Sequence, residues 1–184
     1  MIELCEFHIK NGTILLNYFG DDTEVTIPYG VTYVQKGAFS VNFDITTVNI
    51  PETVEIIDDG VFTRCVSLTN ITLPDSVGFL GDRAFIYCSS LESITLSKKL
   101  PSIGDATFKG CESLKSITIP NNVRTIYHEA FYDCTNLESI FIPANVKEFG
   151  EDVFVGCEKL VITTPKGSTA EKYAIENGIK LNLI

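Results

Sequence analysis

The stretch Leu114-x-x-Ile117-x-Ile119-Pro120-x-x-Val123-x-x-Ile126-x-x-x-Ala130-Phe131-x-x-Cys134 decides the architecture, because it recurs along the chain with a step of 23 residues. Phenylalanine stands at Phe39, Phe62, Phe85, Phe108, Phe131 and Phe154. Cysteine keeps the same step at Cys65, Cys88, Cys111, Cys134 and Cys157, and leucine at Leu68, Leu91, Leu114, Leu137 and Leu160. Proline recurs at Pro28, Pro51, Pro74, Pro120 and Pro143, with Ser97 in the one gap. Self-similarity at such a period is the mark of a repeat architecture.

Twenty-three residues restrict what one unit can build. Leu-x-x-Ile-x-Ile alternates at its end, as a short strand does. Proline then stops the strand, since it has no N–H to donate and restricts the residue before it. Val-x-x-Ile reads as a second extended or turning stretch. Ala-Phe-x-x-Cys-x-x-Leu has helical i, i+3 spacing, but there is room for only about one to two turns beside a strand and two corners. The unit is therefore one coil of a solenoid. Coils stack with their strands parallel at about 4.8 Å per coil, and the apolar columns point inward as continuous ladders.

The repeat resembles the bacterial leucine-rich repeat of the BspA-like (Treponema pallidum) type over about residues 22–165. The resemblance implies a right-handed leucine-rich-repeat solenoid of about six to seven coils. A parallel β-sheet lies on one face, with short helical turns or irregular segments on the other. It also implies an adhesion or protein-binding role in a bacterial protein.

The remaining segments read as caps of a single domain spanning 1–184. Residues 1–21 form an N-terminal cap, in which Asn11-Gly12 between apolar runs is a type I′ hairpin signal. Residues 22–165 are the repeats. Residues 166–184 form a helix–strand cap that starts on the capping box Ser168-Thr-Ala-Glu171 and stops at Asn177-Gly178.

Four columns could carry chemistry. The cysteines read as small buried hydrophobes, because a linear ladder can neither converge four ligands on zinc nor bring Cβ atoms to disulfide distance. Cys5 lies outside that ladder and is expected to be exposed. Asp59, Asp82, Asp105 and Glu151, with His128 in the same column, read as caps on the short helical turn. Thr26, Thr72, Thr95 and Thr118 face outward from the strand, where Asn49 and then Phe141 interrupt them; Phe141 is expected to be exposed. Tyr87, Tyr127 and Tyr132 fall on or near the turn after Phe. With Phe141 they are the candidate partner-binding residues, between about residues 86 and 141.

Composition bounds the function. The net charge of −10 disfavours nucleic-acid binding and favours a basic protein partner. No catalytic motif is present, so the expectation is a non-enzymatic interaction scaffold without cofactor or metal. A structural or self-assembling module is the alternative. Two caps favour a monomer over an oligomer. No apolar stretch reaches the ~20 residues of a membrane span, and no signal-peptide pattern opens the chain. These features place a complete chain in the cytoplasm, and a fragment of a longer protein in a secreted or cell-surface setting.

Overall fold

The computed structural model describes residues 6–184; Cys5 lies outside them. Two strands open the fold as an antiparallel hairpin, Phe7–Lys10 (β1) and Ile14–Tyr18 (β2), joined through Asn11 and Gly12, both with positive φ. Each coil then contributes two short strands. On the first side these are Glu24–Thr26 (β3), Thr47–Asn49 (β5), Asn70–Thr72 (β7), Ser93–Thr95 (β9), Ser116–Thr118 (β11), Ser139–Phe141 (β13) and Val161–Thr164 (β15). On the second side they are Tyr33–Val34 (β4), Ile56–Ile57 (β6), Phe79–Leu80 (β8), Ser102–Ile103 (β10), Thr125–Ile126 (β12) and Glu148–Phe149 (β14). The helix Thr169–Glu176 (α1) and the strand Lys180–Leu183 (β16) follow. All strand pairs beyond the hairpin are parallel, and the paired neighbours from β3 to β14 are in register one repeat apart, such as Ile117 with Ile140.

The chain is thus a parallel solenoid, as the period predicts. The Val-x-x-Ile stretch proves to be a second parallel ladder rather than a loose connection. Proline separates the two ladders: the N–H two residues before each second strand closes a turn, as from Val77 to Pro74 O at 3.0 Å and Val123 to Pro120 O at 3.1 Å.

The third side of each coil, from Phe to Leu, contains no helix. Two residues in every coil, four apart, are left-handed: Gly37 and Val41, Gly60 and Arg64, Arg83 and Tyr87, Ala106 and Gly110, Glu129 and Asp133, Asp152 and Gly156. A left-handed residue breaks an α-helix, so the i, i+3 spacing builds successive tight turns. Alternate N–H groups then run to the next coil. Gly60 donates to Asp82 O, Phe62 to Ala84 O and Arg64 to Ile86 O, at 2.8–2.9 Å. The same triplet recurs from residues 37, 39 and 41 to residues 129, 131 and 133, so this turn side is a ladder in its own right.

The core sits between the three sides. Phe39, Phe62, Phe85, Phe108, Phe131 and Phe154 stack with ring centroids 5.2–5.6 Å apart. The stack runs into both ends, through Tyr18 and Phe7 of the hairpin and through Tyr173 of α1. Phe85, Phe108 and Phe131 are fully buried, as the inward columns require.

Both strand ladders are interrupted in one coil. The first divides into β3-β5-β7-β9 and β11-β13-β15-β16, and the second into β1-β2-β4-β6-β8 and β10-β12-β14. The breaks flank residues 93–115, the coil with Ser97 in the proline column. Its Pro101 occupies the column in which Glu55, Gly78, Arg124 and Lys147 donate an N–H to the preceding coil. Proline cannot donate. The amides of Leu96 and Gly104 also lack the inter-coil acceptor that Leu73 and Gly81 find at 2.9 and 2.8 Å. A surface hollow of about 390 Å³ opens on the first side there, lined by Ser93–Leu96, Lys98, Ser116–Thr118 and Pro120.

Candidate functional site

The turn side carries most of the polar repeat columns, and its backbone explains their roles. Each ladder cysteine is buried and donates from Sγ to the carbonyl of the phenylalanine 26 residues earlier, at 3.0–3.2 Å, from Cys65 to Phe39 O through Cys157 to Phe131 O. The thiol is therefore a hydrogen-bond donor as well as a small hydrophobe. Burial pushes the Cys65 thiol up to about 12 and raises Cys88 and Cys111 as well, which leaves little reactive thiolate.

The acidic column does not cap its own turn, contrary to expectation. Asp59 Oδ1 accepts the N–H of Asp82 at 3.0 Å, Asp82 Oδ1 that of Asp105 at 2.9 Å, and Asp105 Oδ1 that of His128 at 3.0 Å. His128 continues the series, its Nδ1 accepting the N–H of Glu151 at 3.2 Å. The reason is the missing helix: no set of free N–H groups gathers within the coil, and the nearest unpaired donor belongs to the next one. Among the described residues no group of three or more His, Cys, Asp or Glu is placed to hold a metal ion.

The four candidate aromatics fall on different sides. Tyr87 lies on the turn side and is 42 % exposed. Its ring rests across Gly110, where an added Cβ would meet Tyr87 Cδ1 at 2.5 Å, and the Arg64 guanidinium sits 5.7 Å from its centroid. Tyr132 is half-buried on the same side, with Lys109 Nζ 4.3 Å from its centroid. Lys109 also pairs with Glu129 at 2.7 Å, and that hydrogen bond raises the ammonium above its ordinary range. Arg64 with Tyr87 and Lys109 with Tyr132 thus form two cation–ring pairs, an arrangement favoured by the ring quadrupole, and the N–H of Tyr87 donates to Lys109 O at 2.7 Å, which sets the pairs in adjoining coils. Tyr127 is 44 % exposed where the second ladder enters the turn side. Phe141 is on the first side and only half-buried by its strand neighbours Thr118 and Thr163, so it is less exposed than its column suggests.

Other exposed apolar residues escape the sequence reading. Phe19, Val41 and Phe43 are 50–71 % exposed at the N-terminal end, and Tyr29 stands out at the first proline turn. Val41 alone leaves a sequence signal, a β-branched residue in a column that holds Gly110 and Gly156. Phe19, Tyr29 and Phe43 lie outside the repeated columns.

Comparison with solved structures points the same way. The T. pallidum leucine rich repeat protein is similar at 29 % identity and a TM-score of 0.75, covering 92 % of this chain and 89 % of that one. A leucine rich cell surface protein from Faecalibacterium prausnitzii shares 25 % identity over 83 % of this chain, with a TM-score of 0.54. This chain spans 62 % of that protein. A leucine-rich repeat protein from Eubacterium ventriosum shares 25 % identity over 80 % of this chain and 46 % of its own, with a TM-score of 0.67. Comparison with curated proteins gives no match. No helix among the described residues is long and apolar enough to cross a membrane. The BspA type leucine rich repeat region matches residues 32–161 in six copies, and with the stacked coils and their phenylalanine column this makes the chain a member of that family.

Proposed function

We propose that the chain is a non-enzymatic protein-binding scaffold of the cell-surface kind, and that it binds through the turn side between Arg64 and Tyr132. The observation that carries this reading is the two adjoining cation–ring pairs, Arg64–Tyr87 and Lys109–Tyr132. Tyrosine and arginine are the side chains that dominate protein interfaces. Here they are held by a backbone ladder and by one another, so little side-chain freedom remains to be lost on binding. The likeness to the F. prausnitzii cell surface protein supports the location. The use of His128 Nδ1 as an acceptor for Glu151 supports the non-enzymatic reading, since it takes that nitrogen away from base chemistry. The net charge of −10 favours a basic partner, with an association rate that falls as salt rises.

Selection from a displayed library of random peptides supplies the probe. Selected peptides should be basic, and the Tyr87→Ala/Tyr132→Ala double variant should bind them about tenfold or more weakly, with unchanged far-UV circular dichroism. Equal binding by the folded double variant would remove the turn side from the reading.

A further inference from the structure

We infer that the chain pairs with a second copy of itself along the open edge of β1, the two strands running antiparallel about a two-fold axis at His8. Among the described residues β1 is the outermost strand of the second ladder and pairs only with β2. The register steps from His8 opposite Asn17 to Ile9 opposite Leu15, so the extra residue is Leu16 on β2 and β1 itself stays regular. Glu6 O accepts the N–H of Phe19 at 2.7 Å and Lys10 O that of Thr13 at 3.3 Å, so both carbonyls face the β2 side. Backbone direction alternates along an antiparallel strand. The N–H and C=O groups of Phe7 and Ile9 therefore point to the open edge.

The sequence of that edge is self-complementary. In Glu6-Phe7-His8-Ile9-Lys10, an antiparallel partner centred on His8 sets Glu6 opposite Lys10 of the second copy and Phe7 opposite its Ile9, each twice. Phe7 and Ile9 are the residues whose backbone groups point outward, so they form the hydrogen-bonded pairs and His8 meets its own copy as the close, non-bonded pair. Moving the axis one residue to Ile9 would set His8 against Lys10 and Phe7 against Asn11, and both matches would be lost. Charged residues on an edge strand ordinarily block such pairing; here the two charges complement each other.

Phe7 and Ile9 are half-buried against the end of the core, and pairing covers the rest of each. Phe19, 71 % exposed, is tied to Glu6 by the hydrogen bond above. Val41 and Phe43 flank Asn42, whose amide reaches Gly20 O at 3.5 Å. These exposed apolar residues lie on the β2 side of the strand that pairs, at the same end of the fold. A dimer departs from the monomer that two caps suggest, because the hairpin covers the apolar end yet leaves a strand edge of its own. The inference stands apart from the partner-binding reading, and the two are tested on different residues.

Sedimentation of the full chain under reducing conditions should show a concentration-dependent dimer. Glu6→Lys and Lys10→Glu each set like charges opposite one another twice, and each should weaken the dimer about tenfold. Glu6 and Lys10 are exposed, so thermal unfolding of either variant should be unaltered. Mixing the two single variants should restore pairing as a heterodimer, since one copy then presents two cations and the other two carboxylates. In a Cys5→Ser background, His8→Cys should form a disulfide-linked dimer on mild oxidation, because facing Cα atoms of a non-bonded pair lie about 4.5 Å apart. A monomer at every concentration up to the solubility limit overturns the inference. So does a dimer that resists both charge variants and gives no link through position 8.

Discussion

The two strand ladders and the turn side are built from the same repeat, yet only the turn side runs unbroken. Its inter-coil hydrogen bonds continue from Gly37 to Asp133, whereas both ladders stop at the coil 93–115. The strands are short, so each junction in a ladder depends on a few backbone donors, and a single Pro101 deletes one of them. The turn side has three backbone bonds per junction. A buried thiol donor, a side-chain acceptor and a stacked ring add to them, so no single position controls it. The irregular-looking side is the spine, and the regular strands are the part that tolerates interruption.

The largest test of that contrast is Phe108→Ala. Removing one ring from the middle of the stack should cost about 3–5 kcal/mol by cavity formation, measured by chemical denaturation. A loss comparable to that of an exposed strand residue would mean the stack is not the spine. Next comes Asp82→Ala, which leaves the N–H of Asp105 without its acceptor and should cost about 1–2 kcal/mol. Asp82→Asn keeps an acceptor oxygen and should recover most of the loss; equal damage from both would assign the effect to charge.

Val41 offers a change of the opposite sign. Its φ of 63° is adverse for a β-branched side chain, so Val41→Asn should raise stability by about 1 kcal/mol, visible as a higher melting temperature. The smallest effect concerns local opening. The amides of Leu96 and Gly104 should exchange with deuterium ahead of their repeat counterparts Leu73 and Gly81, while the amides of Phe85 and Phe108 resist exchange on both sides of the seam. Equal protection of the two sets would erase the distinction between ladder and spine.

The solenoid is legible in the sequence because inward positions must be apolar in every coil, so Phe, Leu, Ile and Cys write the period into the chain. The turn side is not, because many of its left-handed positions hold residues such as Arg64, Arg83, Tyr87, Ala106 and Glu129, which announce no special backbone. Without that backbone the spacing suggests a helical turn, and the helical turn suggests caps. Column membership tells which acids align but not that Asp59 reaches forward to Asp82. The candidate site is legible as a set of outlying aromatics. Their sorting, with Tyr87 and Tyr132 each under a cation on the turn side and Phe141 on another side, depends on where the coil bends. Pro101 is visible, but a missing N–H matters only once the donor column is known.

The seam has a mechanical side. The junction before the coil 93–115 keeps its first ladder and lacks the strand pairing of the second; the junction after it keeps the second and holds the first through the N–H of Lys115 to Glu92 O at 3.4 Å. Each is held fully along two of three sides, and a stack held that way flexes about the line joining those sides. The weakened side changes from one junction to the next, so the two flexing axes differ, as in a universal joint. The expected result is a rod whose halves swing in two directions about the ring stack instead of one. Distances between labels placed in the coils before residue 92 and after residue 116 should be broader in distribution than those within either half. Restoring the donor with Pro101→Thr should narrow that breadth along one direction and leave the other.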